Sequence, residues 1–121
     1  MQNNNQRDID RVEDVLEAIG HINAFTKDIS FEDFFNSVLI QSATVRQFEI
    51  IGEATDKISL LVKETFFNVE WRSIKSLRNL LTHEYSKVNL SEVWNTIKND
   101  LHTLKEQMED VLIAISKDET S

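Results

Sequence analysis

The sequence predicts an all-α fold, a four- to five-helix up-down bundle, and three observations predict it. Apolar residues recur at three- and four-residue steps along most of the chain, the signature of amphipathic helices. The 121 residues contain no proline and only two glycines, Gly20 and Gly52, too few for the turns of an all-β fold. No apolar run approaches the ~20 residues that a membrane span requires. The length fits one domain, residues 1–121, with 1–7 and 117–121 expected to fray.

The first helix is predicted over residues 8–28, where Ile9, Val12, Val15, Leu16, Ile19, Ile22 and Phe25 fall on one stripe. Ser30 followed by Asp33 resembles a capping box and opens a short second helix through Phe31, Phe34 and Phe35. Residues 38–65 continue the periodicity with Val38, Leu39, Val45, Phe48, Ile51, Ile58, Leu61 and Val62, and read as the longest helix. Gly52 inside it costs about 1 kcal/mol against alanine unless close packing offsets the loss. Phe66-Phe67-Asn68-Val69 is a connection. A further helix is expected from Trp71 to Tyr85, with Ile74, Leu77, Leu80 and Leu81 inward. Asn89 or Ser91, with Glu92 behind, starts the last helix through Val93, Trp94, Ile97, Leu101, Leu104, Met108, Val111 and Leu112. Uncovered apolar positions on the long helices make a homodimer an expectation.

Composition excludes several functions. There is no cysteine, hence no disulfide, thiolate nucleophile or zinc-thiolate site. Three scattered histidines do not form a metal site, so neither metal nor cofactor is expected. The polar N-terminus lacks the apolar stretch of a signal peptide, which makes the cytoplasm the expected location. The net charge is −8, against the high pI usual for proteins that coat nucleic acid. The charge is nevertheless uneven. Residues 71–87 carry four basic side chains, Arg72, Lys75, Arg78 and Lys87, against the single acid Glu84. That segment allows a local anion site, although a solvated helix face has the same composition.

The run Arg78-Asn79-Leu80-Leu81-Thr82-His83-Glu84-Tyr85 carries the chemistry. A guanidinium offers a fixed fork of donors that matches a phosphate. An imidazole takes or gives a proton near neutral pH. These groups suffice for cleaving RNA without a metal: the imidazole activates a 2′-hydroxyl or protonates the leaving oxygen, and the arginine stabilises charge on phosphorus. On a straight helix Arg78 and Tyr85 share a stripe, about 20° apart, while His83 lies about 140° from Arg78. Convergence therefore needs a distorted helix end or a second chain, and a symmetric dimer would supply two copies of His83. The competing reading is a capped helix end in which His83 bonds a backbone carbonyl and Arg78 pairs with an acid.

The order Ile50-Ile51-Gly52-Glu53-Ala54, Trp71-Arg72-Ser73-Ile74, Arg78 to Tyr85 and Val93-Trp94 resembles the HepT branch of the HEPN superfamily across roughly residues 8–115. The resemblance implies an all-helical bundle of HEPN type that forms a homodimer. It implies a ribonuclease toxin of a type VII toxin–antitoxin pair, with a minimal nucleotidyltransferase of MntA type as antitoxin. Arg78 and His83 then map to the catalytic residues and Tyr85 to the acceptor of AMP units. Transfer RNA and messenger RNA both fit as substrate. The family commonly has proline before the Trp71 position, where this chain has Asn68-Val69-Glu70, which bears on loop shape.

An adenylate on Tyr85 would place a phosphate over the Arg78 stripe and compete for it; otherwise Tyr85 packs on Trp71 or Trp94. Asn79 and Thr82 are candidates for binding phosphate oxygens or for capping. Glu53 could reach a basic residue of the active helix or serve as a structural ion-pair partner. Trp71 and Trp94 could stack bases, but their apolar neighbours favour core packing. His21 and His102 receive no role. A different class of function remains open, a non-catalytic helical module that docks a nucleotidyltransferase, and replacement of Arg78 or His83 would have favoured it.

Overall fold

The computed structural model describes residues 4–74 and 90–120, with side chains over 5–74 and 90–117. Its helices are α1 (Asn4–Thr26), α2 (Phe31–Phe35), α3 (Val38–Asp56), α4 (Leu60–Thr65), α5 (Leu90–Asn95) and α6 (Leu101–Thr120). A π-helical turn, Thr96–Asp100, joins α5 to α6, and residues 71–74 are also helical. No strand occurs among the described residues. The all-α prediction holds.

Three long-range hydrogen bonds show the up-down order. Asn5 Nδ2 donates to the Ile115 carbonyl at 2.9 Å, which sets the start of α1 beside the end of α6. His21 Nδ1 lies 3.2 Å from Gln47 Oε1, and Asp8 meets Ser59. Increasing number along α1 thus runs against increasing number along α3. The stripe predicted for α1 is its buried face from Ile9 to Ile22, with Val12, Val15, Ile19 and Ile22 fully enclosed, whereas Phe25, assigned to the same stripe, is exposed at the end of the helix. The four enclosed side chains pack with Phe34, Phe48, Ile51, Met108 and Val111 in one core. Burial of such side chains contributes about 1.5–3 kcal/mol each before entropy is counted.

The capping box is present as read. Ser30 Oγ accepts from the Asp33 amide, and Asp33 Oδ2 accepts from the Ser30 amide, both at 3.1 Å. The single helix expected over 38–65 is corrected. It breaks at Lys57–Ser59, which leaves α3 at 19 residues, shorter than α1 at 23. Ser59 caps α4 by accepting from the Val62 amide, while its own amide and hydroxyl donate to the Asp8 carboxylate at 2.8 and 2.7 Å. Asp8 is 5% exposed. A buried carboxylate requires such donors, and meeting that need turns the chain out of α3.

Burial is corrected at some positions too. Val38, Leu39 and Leu61, assigned to the inward stripe, are 73%, 79% and 74% exposed, and Phe35 is exposed as well. Val38 and Leu39 fall in the first turn of α3, where Ser37 caps the helix and Gln41 Nε2 donates to the carbonyls of Phe34 and Phe35. The local capping geometry, not the apolar pattern, orients that turn. Among the described residues no helix is long and apolar enough to cross a membrane.

Candidate functional site

The segment that carries Arg78, Asn79, Thr82, His83 and Tyr85 lies outside the described residues, as does most of the helix expected from Trp71 to Tyr85. The structure shows how its two flanks are held.

On the incoming side, Val69 is buried and ends the connection after α4. The Trp71 amide donates to the Val69 carbonyl at 2.9 Å, and its indole Nε1 donates to the Phe66 carbonyl at 3.0 Å. The Ile74 amide donates to the Glu70 carbonyl at 3.1 Å, closing one helical turn. Trp71 and Ile74 both rest on the core. On the outgoing side, Leu90 packs on the same core and Val93 is buried. Trp94 lies 5.3 Å from Phe34 and 6.0 Å from Phe31, edge-on to the latter. Lys98 Nζ sits 4.6 Å over the Trp94 ring, a cation–π contact worth about 0.5–1 kcal/mol at a partly exposed site. Each indole has partners inside the bundle, so both tryptophans anchor the flanks rather than stand ready to stack bases.

Between the flanks is a cavity of about 660 Å³. Phe48, Ile51, Ile74, Leu101 and Leu104 supply its apolar wall, and Ser73, Thr96, Thr103 and Gln107 its neutral polar groups. Among the described residues the charged side chains on its lining are Glu70 and Asp100. Two carboxylates repel a phosphate. Of the basic residues in the 71–87 stretch, Arg72 is described and is exposed. The π turn contributes Thr96 and Asp100 to this wall. Such turns frequently mark functional sites, and this one was not anticipated. The spacing does not announce it, since Val93, Ile97 and Leu101 at four-residue steps also fit an ordinary apolar stripe about 100° wide.

Glu53 is half-exposed and pairs with Arg46 of its own helix, Oε1 to Nη1 at 3.6 Å. Exposed pairs of this kind contribute about 0–1 kcal/mol. His21 stacks on Phe25 at 6.2 Å, and His102 Nε2 lies 3.0 Å from Glu106 Oε1 on an open face. Among the described residues no group of three or more histidine, aspartate or glutamate side chains is placed to hold a metal ion.

Comparison with known proteins is consistent across most of the chain. The family model described as "Ribonuclease HepT-like" matches residues 15–111. A protein of Thermococcus cleftensis named "Probable ribonuclease HepT" is 39% identical over 100 residues, 83% of this chain and 91% of that one. A protein of Methanocaldococcus jannaschii named "Putative RNase MJ1380" is 38% identical over 98 residues, 81% of this chain and 90% of the relative. A third, "Putative RNase TTE0752" of Caldanaerobacter subterraneus, is 35% identical over 101 residues, 84% of this chain and 90% of the relative. No solved structure matches the chain significantly.

Proposed function

Because the chain belongs to the HepT-like ribonuclease family, we propose that it is a metal-independent endoribonuclease, the toxin of a type VII toxin–antitoxin pair, working in the cytoplasm as a homodimer. One observation supports this best. The family match over 15–111 takes in the only basic stretch of an acidic chain, and that stretch holds Arg78 and His83.

In this reading His83 of one copy accepts the proton of a ribose 2′-hydroxyl as its oxygen attacks phosphorus. The bond from phosphorus to the 5′-oxygen breaks, and His83 of the second copy, as imidazolium, returns a proton to that oxygen. The products are a 2′,3′-cyclic phosphate and a 5′-hydroxyl. Arg78 holds the phosphate and stabilises the charge that builds on its oxygens. Two copies supply the acid and the base that one histidine cannot supply together, and they remove the 140° mismatch along a single helix. Asn79 and Thr82 support the phosphate. A nucleotidyltransferase antitoxin of MntA type silences the site by adding AMP to Tyr85, whose new phosphate competes for Arg78.

RNA cleavage by the purified chain tests the proposal, with wild type beside His83→Ala in buffer containing EDTA. Cleavage that survives chelation and falls by about 10²–10⁴-fold in the variant is expected. Absence of cleavage by a folded dimer over several RNA pools would replace the ribonuclease with a module that only docks a nucleotidyltransferase. Equal cleavage by both proteins would move the chemistry away from His83.

A further inference from the structure

The polar groups that the last helix gives to the cavity fall in one line. Thr96, Asp100, Thr103 and Gln107 follow at three- and four-residue steps through the π turn and α6, and all four are on the lining. Beside them Phe48, Ile51 and Leu104 offer an apolar wall suited to the face of a flat ring. At about 660 Å³ the cavity has the size of a small-ligand site, roughly 300–1,000 Å³. Among the described residues neither Asp100 nor Glu70 has an ion-pair partner, and the half-buried Gln107 has no hydrogen-bond partner for its amide. The acceptors and donors on this wall are therefore available to a ligand.

Two carboxylates turn away the phosphates of an RNA chain, so the part of it that can enter is a neutral base. A carboxylate only accepts hydrogen bonds. Guanine is the base with two adjacent donors on its pairing edge, the ring N–H and the 2-amino group. Adenine and cytosine set a ring acceptor beside their amino group, and uracil sets an oxygen on each side of its one N–H. The next group along the guanine edge is its carbonyl oxygen, which needs a donor. Thr103 and Gln107 lie roughly 4.5 and 10.5 Å farther along the helix than Asp100, and a long helical side chain such as Gln107 leans back toward the N-terminus. We propose that this cavity is a guanine site, in which Asp100 accepts from the ring N–H and the 2-amino group, Gln107 donates to the carbonyl oxygen and the apolar wall covers the ring face. Reading an unstacked base by its pairing edge is the usual way single-stranded RNA is distinguished. The inference rests on the ribonuclease reading and gives it a base preference.

Equilibrium binding of four pentanucleotides to the full chain tests the site, each with guanine, adenine, cytosine or uracil at the centre of an otherwise all-uridine sequence. Their 2′-oxygens are methylated, so no attacking hydroxyl is present and binding is read apart from cleavage. The guanine oligonucleotide should bind roughly 5- to 150-fold tighter than each of the others, the discrimination of a bidentate base contact. Asp100→Asn keeps the shape but turns one acceptor into a donor, and should abolish that preference. The ratio among the four is the readout, because losing an acid favours every RNA. Gln107→Ala should weaken guanine binding by roughly two- to tenfold. Glu109→Gln, at an exposed position outside the lining, should change neither. Melting curves check that each variant is folded. Equal binding of all four, binding of none, or a guanine preference that survives Asp100→Asn would overturn the proposal. The unmethylated oligonucleotides separate it from the ribonuclease. Selective guanine binding without cleavage upholds the site and sinks only the ribonuclease, whereas cleavage of all four with no preference in binding does the reverse.

Discussion

Replacing Asp8 by alanine removes the acceptor that holds the α3–α4 break in place. Two hydrogen bonds disappear, from the Ser59 amide at 2.8 Å and from the Ser59 hydroxyl at 2.7 Å. Bonds to a charged partner are worth about 1.5–3 kcal/mol net. The bonds are partly buried, so water recovers some of the loss once the carboxylate is gone. The Ser59 cap on Val62, about 1 kcal/mol, survives in this variant. The expected cost of Asp8→Ala is therefore about 2–4 kcal/mol. At roughly 3–6 °C per kcal/mol for a chain of this size, the melting point falls by about 6–24 °C. Ser59→Ala removes the hydroxyl bond and the cap but keeps the amide bond, for about 2–3 kcal/mol. Urea denaturation of both single variants and the double variant gives the coupling energy. Residues that share a bond should couple by about 1–2 kcal/mol. A loss below about 0.5 kcal/mol in Asp8→Ala, or additive single effects, would refute the idea that this carboxylate sets the break.

Three further outcomes are expected. Thr44 is fully buried on α3 and its hydroxyl has no hydrogen-bond partner; Thr44→Val keeps the shape and should leave stability unchanged or raise it by up to about 1–2 kcal/mol in urea denaturation. Glu53→Gln removes a half-exposed pair with Arg46, so stability should change by less than about 1 kcal/mol, and RNA cleavage should persist; a loss of cleavage with intact folding would give Glu53 a part in the site. Tyr85→Phe should retain cleavage but no longer accept labelled AMP from the cognate nucleotidyltransferase, as read by intact mass; labelling elsewhere would reassign the acceptor.

The fold was legible where one signal dominated. The stripe of α1 and the capping box of α2 follow from local spacing, and the structure reproduces both apart from Phe25, which is exposed. The helix read across 38–65 shows where spacing stops being sufficient. Ile58, Leu61 and Val62 continue the apolar rhythm, and the break contains neither glycine nor proline. Its cause is Asp8, 51 residues away, whose buried carboxylate needs the Ser59 donors. No window along the chain contains both partners.

The π turn is a different lesson, because the apolar spacing alone does not announce it. Two consecutive four-residue steps would carry Leu101 about 80° away from Val93 on an α-helix. Val93, Ile97 and Leu101 are all buried, at 1%, 6% and 2%, within the roughly 100° that an apolar stripe covers. The wider π turn absorbs the overrun, and beyond Leu101 the buried positions Met108, Val111 and Ile115 resume ordinary steps. The added girth falls on the cavity wall at Thr96 and Asp100, with Trp94 seated on Phe31 and Phe34 directly before it. The irregularity in the last helix thus keeps the core in phase on both sides of the turn while Trp94 fixes the outgoing flank. A one-residue deletion within Thr96–Asp100 should convert the π turn to α-helix while Met108 and Val111 stay buried, because the roughly 100° lost with the residue is the rotation the π turn absorbs. Substitutions that keep the length should leave both in the core. Exposure of Met108 or Val111 in the deletion variant, read by solvent accessibility or a collapsed melting transition, would refute the reading of the turn as one extra residue accommodated in the helix.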